Sequence, residues 1–194
     1  MSDYSLGELS RQIANMIRVG EITELDFDDS AAPRVKVEVS GFPSDWLPWS
    51  AGRAGASRKW SPPSVGEQVI IVAPYGDLGQ AMIIGSLFSA ARPAPDTSAT
   101  RETATYPDGS TVSYDSASNT LQVNVAGEGN VVVNCQTAVV NAEEQITFDT
   151  PQANFTGNIK AAGNIEDGIR SMAADRAIYS GHNHGDGPQP NQPQ

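Results

Sequence analysis

The sequence predicts a mainly β protein: a short N-terminal helix, a small barrel, and a repetitive C-terminal half that only other copies of the chain complete. Three observations lead there. Alternating and buried-run strand patterns crowd into residues 18–90. From Leu121 to Ile165 apolar residues recur in short sets, about six to ten residues apart. The 194 residues are 39% hydrophobic and 18% charged, so small polar residues dominate and large apolar side chains for a private core are scarce.

The helix comes first. Ser5-Leu6-Gly7-Glu8 has the spacing of a capping box, and Leu6, Leu9, Ile13, Met16 and Ile17 follow a helical stripe. The helix is expected to end near Gly20, with an N-terminal arm over residues 1–17. Its stripe must dock on its own domain or on a partner.

Residues 18–90 carry short strands. Arg34-Val35-Lys36-Val37-Glu38-Val39 alternates strictly, and Val69 to Ala73 and Gln80 to Leu87 are buried-strand runs. Asp26-Phe27-Asp28-Asp29-Ser30 reads as an acidic turn, and Pro48 between Leu47 and Trp49 marks an edge or bend. Five strands in so short a span suit a Greek-key barrel of the OB type. Trp46, Trp49 and Trp60 could stack on bases, and Arg53, Arg58 and Lys59 could meet phosphate. Packing and a subunit or partner interface fit an acidic chain better.

Residues 91–102, with Pro93 and Pro95, form a linker. Tyr106-Pro107-Asp108-Gly109 is a turn signal that opens a second β region over 103–170. There the sets run Leu121, Val123, Val125; Val131, Val133, Cys135; Val140, Ala142; Ile146, Phe148; Ala153, Phe155; Ile159, Ala161; Ile165. Solenoid coils need about 20 residues or more per turn. A period near seven is too short for one chain to wind around its own core; three chains about a common axis would each supply one side of a turn. The sets shrink toward the C-terminus, which implies a taper.

Net charge is −11, and three copies would carry −33, three times that value. Such a balance opposes nucleic-acid binding through phosphate neutralisation. The lone cysteine, Cys135, makes no intrachain disulfide and reads as a small buried residue of a chain made in a reducing compartment. No apolar run reaches the ~18–20 residues that span a bilayer, and Met1-Ser2-Asp3-Tyr4 lacks the basic flank and apolar stretch of a secretory signal.

The last 24 residues, 171–194, hold the only two histidines, His182 and His184. Residues i and i+2 of an extended segment share a face, so both imidazoles can reach one point. Two ligands are too few for a closed metal site; other copies would have to supply the rest. On spacing alone the pair also fits a surface turn with two solvated histidines.

Asp45-Trp46-Leu47-Pro48-Trp49, the block from Arg53 to Val69, Ala81 to Ser89, Tyr106-Pro107-Asp108-Gly109 and the terminal His-x-His pair together resemble a known family. It is the central spike protein of contractile phage tails, the baseplate assembly protein V family, with relatives in R-type pyocins. The resemblance implies a homotrimer with an OB-fold base, an intertwined triple-stranded β-helix stem and a tapered tip. It implies that His182 and His184 of three chains give six nitrogen ligands to one iron, an octahedral set unlike tetrahedral zinc. It also implies calcium and chloride on the trimer axis, for which Glu166-Asp167-Gly168 is a candidate by position and charge. The implied partners are baseplate hub and tail tube proteins, with transient contact to a bacterial outer membrane that the tip pierces, in a phage or pyocin particle. The Pro- and Gln-rich residues after the histidines are expected to fold back against the tip.

Two other function classes fit the residues less well. A β-helical glycan-degrading enzyme needs converging carboxylates; Glu143-Glu144 and Glu166-Asp167 are sequence neighbours, which face opposite ways on a strand. A trimeric receptor-binding fibre or adhesin needs a tip rich in binding side chains, and Tyr179 is the one aromatic after Phe155.

Overall fold

The structure, a computed structural model of the single chain, describes residues 3–183, 185, 187 and 188. It divides into two units, residues 1–133 and 134–194.

The first unit opens with helix α1, Asp3–Met16. Strand β1, Ile17–Asp26, follows at once. The expected helix end near Gly20 is therefore too late. Gly20 lies in β1, where an added Cβ would fall 2.5 Å from Val37 Cγ1 and 2.6 Å from the Glu38 carbonyl oxygen. Close strand packing, rather than helix termination, accounts for the glycine.

The barrel strands are β1, β2 (Arg34–Val39), β3 (Phe42–Pro43), β4 (Gln68–Val72) and β5 (Met82–Leu87), in sheet order β3-β2-β1-β4-β5. The ten-residue β1 serves both halves: Ile17 to Glu21 pair with β4, and Glu21 to Asp26 pair with β2 across a bulge between Ile22 and Glu24. Bulges bend a strand, and this one turns the sheet toward closure. Closure itself falls to Leu47–Ser50. Leu47 exchanges backbone hydrogen bonds with Val35 (2.8 and 3.0 Å), the Ile83 N–H donates to the Pro48 carbonyl at 2.9 Å, and the Ser50 N–H donates to the Ile83 carbonyl at 2.8 Å. One short segment thus joins β2 to β5.

Inside lie Ile22, Val35, Val37, Val39, Leu47, Val69, Ile71, Ala73, Ala81 and Ile83, with Phe27 and Trp49 packed against them. The alternation of β2 and β4 delivers Val35, Val37, Val69 and Ile71 inward, as their pattern requires. All the buried hydrophobic residues among those described belong to this barrel.

Strands β6 (Arg101–Thr105), β7 (Thr111–Asp115) and β8 (Thr120–Asn124) form a separate antiparallel meander. The Tyr106–Gly109 turn forms as read: the Asp108 carboxylate accepts from the Ser110 N–H (2.9 Å) and hydroxyl (2.8 Å), and Gly109 takes φ +89°. Register places Ala104, Val112 and Val123 side by side, and Tyr114 beside Leu121. The opposite face is polar. There Arg101 bridges Asp96 (3.2 Å) and Asp115 (3.1 Å), and the Thr100 and Thr103 hydroxyls donate to the same two carboxylates. On β7 the polar residues are the more covered and Val112 and Tyr114 the more exposed.

The sets expected as strands beyond β8 find no ladder partner within the chain among the described residues; residues 125–165 carry no assigned strand. Their apolar side chains point into solvent, Val131, Val132 and Val133 at 70, 74 and 76% exposure. Cys135, expected to be buried, is exposed in the single chain for the same reason. The second unit ends in a helix that the sequence reading did not anticipate, α2, Met172–Gly181.

Two measurements test the barrel closure and the meander. Leu47→Ala removes a 2%-exposed side chain from the closing segment; such truncations cost about 2–5 kcal/mol, so denaturant unfolding followed by Trp49 and Trp60 fluorescence is expected to shift by that amount. Asp96 and Asp115 titrate below the ordinary 3.8, held there first by backbone N–H donation from Ser98 and Ala117 respectively. A carboxylate depressed on folding contributes stability that is full above its unfolded value and is lost as pH falls through the folded one. Hydrogen-exchange protection of β6–β8 is therefore expected to fall as the pH drops below about 4, and Asp115→Asn to flatten that dependence while lowering protection at neutral pH.

Candidate functional site

The described part of the C-terminal candidate site consists of a turn, a helix and His182. The Asp167 carboxylate accepts the backbone N–H groups of Ile169 (2.8 Å) and Arg170 (3.0 Å), and these bonds, Arg170 first, hold its pKa below the ordinary value. The turn brings Glu166 against Ser171, with the Met172 N–H donating to the Ile165 carbonyl at 2.9 Å. Of the Glu166-Asp167-Gly168 candidate for axial ions, Asp167 thus has an oxygen engaged in its own turn.

Ser171 caps α2: its hydroxyl accepts from the Ala174 N–H at 3.2 Å. Asp175 sits in the first turn, where the helix dipole favours a negative charge, and pairs with Arg170 at 2.7 Å. Met172, Ala173, Ala174 and Ala177 supply helix propensity. That capped, alanine-rich run ending at Gly181 was the signal in the sequence; β periodicity upstream drew attention from it.

His182 is the C-cap of α2. Its ring lies 5.2 Å from that of Tyr179, and its Nδ1 is within hydrogen-bond distance of the Tyr179 carbonyl oxygen. A carbonyl only accepts, so Nδ1 carries the hydrogen and, in the neutral ring, Nε2 carries the lone pair. Such a bond from one ring nitrogen is how proteins fix the tautomer and direction of a metal-ligating imidazole. His184, the other predicted ligand, and, of the tail 185–194 expected to fold back, residues 186 and 189–194 lie outside the described residues. Among the described residues no three His, Cys, Asp or Glu side chains of one chain converge as a metal site.

In the barrel, Phe27, Trp49 and Trp60 form a triangle with ring centroids 5.5–5.8 Å apart. The role of Phe27 was hidden in an acidic turn; Trp49 packs against the core, as read, whereas Trp60 touches both rings and stays 61% exposed. Trp46 instead lies under Lys36, whose Nζ is 4.6 Å from the ring centre. Arg53, Arg58, Lys59 and Arg34 rim an open groove of about 540 Å³ beside Trp60, where the Lys59 N–H donates to the Arg53 carbonyl.

Comparison with known proteins agrees with both units. Residues 18–88 match the type VI secretion system/phage-baseplate injector OB domain, and residues 134–180 match the phage spike trimer domain. The chain is 33% identical to the spike protein of Escherichia phage P2, over 93% of this chain and 92% of that one. The chain belongs to the phage baseplate spike family. The OB-domain match ends at Phe88, one residue past β5, and the spike-trimer match begins at Asn134, where the second unit begins. In this spike chain the OB barrel and the segment 134–180 are therefore separate family modules, and the meander β6–β8 falls between them in sequence.

The cap assignment is testable. Ser171→Ala is expected to cost α2 about 1 kcal/mol, whereas Ser171→Asp, which keeps an N-cap acceptor, is expected to retain it; exchange rates of the amides of residues 174–181 read out both.

Proposed function

We propose that this spike works as a homotrimer, three C-terminal halves wound about one axis into a tapered point that a contracting tail sheath drives through a bacterial outer membrane. One observation carries the reading: the run of apolar side chains from Leu121 to Ile165 that a single chain leaves exposed. Burying each is worth roughly 1.5–3 kcal/mol, and a short-period repeat buries them only against neighbouring copies. The description of the matched domain as a spike trimer supports the same number of chains.

The role is mechanical rather than catalytic. Strands paired between chains leave few free edges, and a narrow tip concentrates force on a small area of membrane. Chain ends ordinarily fray. At this end, His182 and His184 of three chains would hold one metal ion, with iron the proposed occupant. The tautomer set by the Tyr179 carbonyl suits this: it leaves the lone pair of His182 on Nε2, the form a neutral imidazole ligand needs. When bound, the ion supplies a cross-link between chains whose binding energy is also folding energy. The particle's baseplate hub and tail tube are the partners proposed for the barrel end, with the spike at the tail tip.

Sedimentation of the purified chain with elemental analysis tests both parts. The expected result is the mass of three chains with one metal ion, and His182→Ala is expected to keep that mass and lose the ion. A folded, metal-free trimer from metal-replete medium overturns the pin and leaves the trimer standing. A monomeric mass overturns the trimer.

A further inference from the structure

Helix α1 docks inside out. Its partly covered positions are Glu8, Gln12 and Asn15, which share one face. That polar face lies toward the barrel, where Gly76 approaches the helix so closely that a Cβ would fall 2.4 Å from the Gln12 carbonyl oxygen. The apolar stripe Leu6, Leu9, Ile13 and Met16 faces away and is exposed.

At Ile17 the stripe runs on without a break into the barrel's outer face. In β1, Ile22 points inward and Ile17 and Val19 outward; in β4, Val69 and Ile71 point inward and Ile70 and Val72 outward; in β5, Ile83 points inward and Met82 and Ile84 outward. Register aligns Ile17, Val72 and Met82 across the three strands, with Val19 beside Ile70. An outer barrel face is normally polar, because only one side of such a sheet meets the core. Here the outer side is aliphatic as well over Ile17, Val19, Ile70, Val72, Met82 and Ile84, giving way to Glu21 and Gln68 farther along.

We infer that this surface, the α1 stripe with the outward side of β1–β4–β5, is where neighbouring copies of the barrel pack against one another in the assembled spike. The inference rests on the trimer reading and extends it from the stem to the base. Area is the first argument. Leu6, Leu9, Ile13, Met16, Ile17, Val19, Met82 and Ile84 are each between 42 and 68% exposed. Together they leave on the order of 700 Å² of apolar surface, above the roughly 300–600 Å² of the largest patch on an ordinary monomer and near the ~800 Å² each partner buries in a stable interface. Charge is the second. Copies carrying −11 apiece repel over most of their surface, and these eight positions carry no charge. Tethering is the third: barrels joined to one stem face each other at an effective concentration in the millimolar range, so a modest apolar contact stays occupied.

Two of the four methionines, Met16 and Met82, lie in this surface and report on it without any substitution. The experiment treats the purified full-length spike, alone, with dilute peroxide and measures sulfoxide at both residues by mass spectrometry, against the same chain unfolded in urea. In the spike both are expected to oxidise roughly tenfold more slowly than in the unfolded chain. Val19→Glu is expected to keep the trimer mass through the stem while returning Met16 and Met82 toward the unfolded rate. A trimer whose Met16 and Met82 oxidise like the unfolded chain overturns the inference and leaves the trimer intact. Protection that appears only after baseplate proteins are added assigns the surface to them and overturns it too. Protection unchanged in Val19→Glu also counts against it, and a monomeric mass removes both readings together.

Discussion

The constraint on which the rest depends is that one chain owns one core. Among the described residues ten buried apolar side chains sit inside the barrel, and those of α1, of the meander and of the stretch to Ile165 stay largely exposed. In the meander the arrangement is reversed from the usual one: the polar side makes the internal bonds and the apolar side looks outward. α1 shows the same reversal. Three elements with different geometry share one property: in the single chain each turns its apolar side outward.

Beside that core, the single chain holds its loops with turns. Asp77, Asp96, Asp108, Asp115 and Asp167 each accept backbone N–H groups two or three residues ahead. Asx turns of this kind fix loop geometry without a hydrophobic core. Part of the strong negative charge is therefore structural and local. It also ties the loops of Asp96, Asp108, Asp115 and Asp167 to pH, because their carboxyls are held below the ordinary value by the N–H groups they accept, and protonation removes the acceptor charge.

The sequence made the barrel legible because alternation and burial coincide in β2 and β4, and the Pro-Asp-Gly turn because its side-chain chemistry is strictly local. It misplaced the end of α1, since a glycine before a strand resembles a helix terminator until the close approach of Val37 is visible. It concealed Phe27 among aspartates, because the ring reaches Trp49 and Trp60 only through the barrel's curvature. α2 went unread because ten residues of modest amphipathicity follow a long β-type repeat, and only the Ser171 cap separates them. Of the histidine pair, the spacing indicated a shared face; the hydrogen bond from His182 to the Tyr179 carbonyl depends on α2 and could not be read before the helix was known.

The closing segment Leu47–Ser50 has a consequence for the order of events during synthesis. It makes the barrel complete within the first 90 residues, with every ladder satisfied by one chain. That part folds in a first-order process, at a rate indifferent to how many copies are present. On the proposed trimer the stem waits for two other chains, so its formation is an assembly step whose rate rises with concentration. Each chain therefore emerges with a finished head and an unfinished tail. On that reading the concentration of chains, and no property of the barrel, sets how long Val131, Val132 and Val133 stay exposed to aggregation.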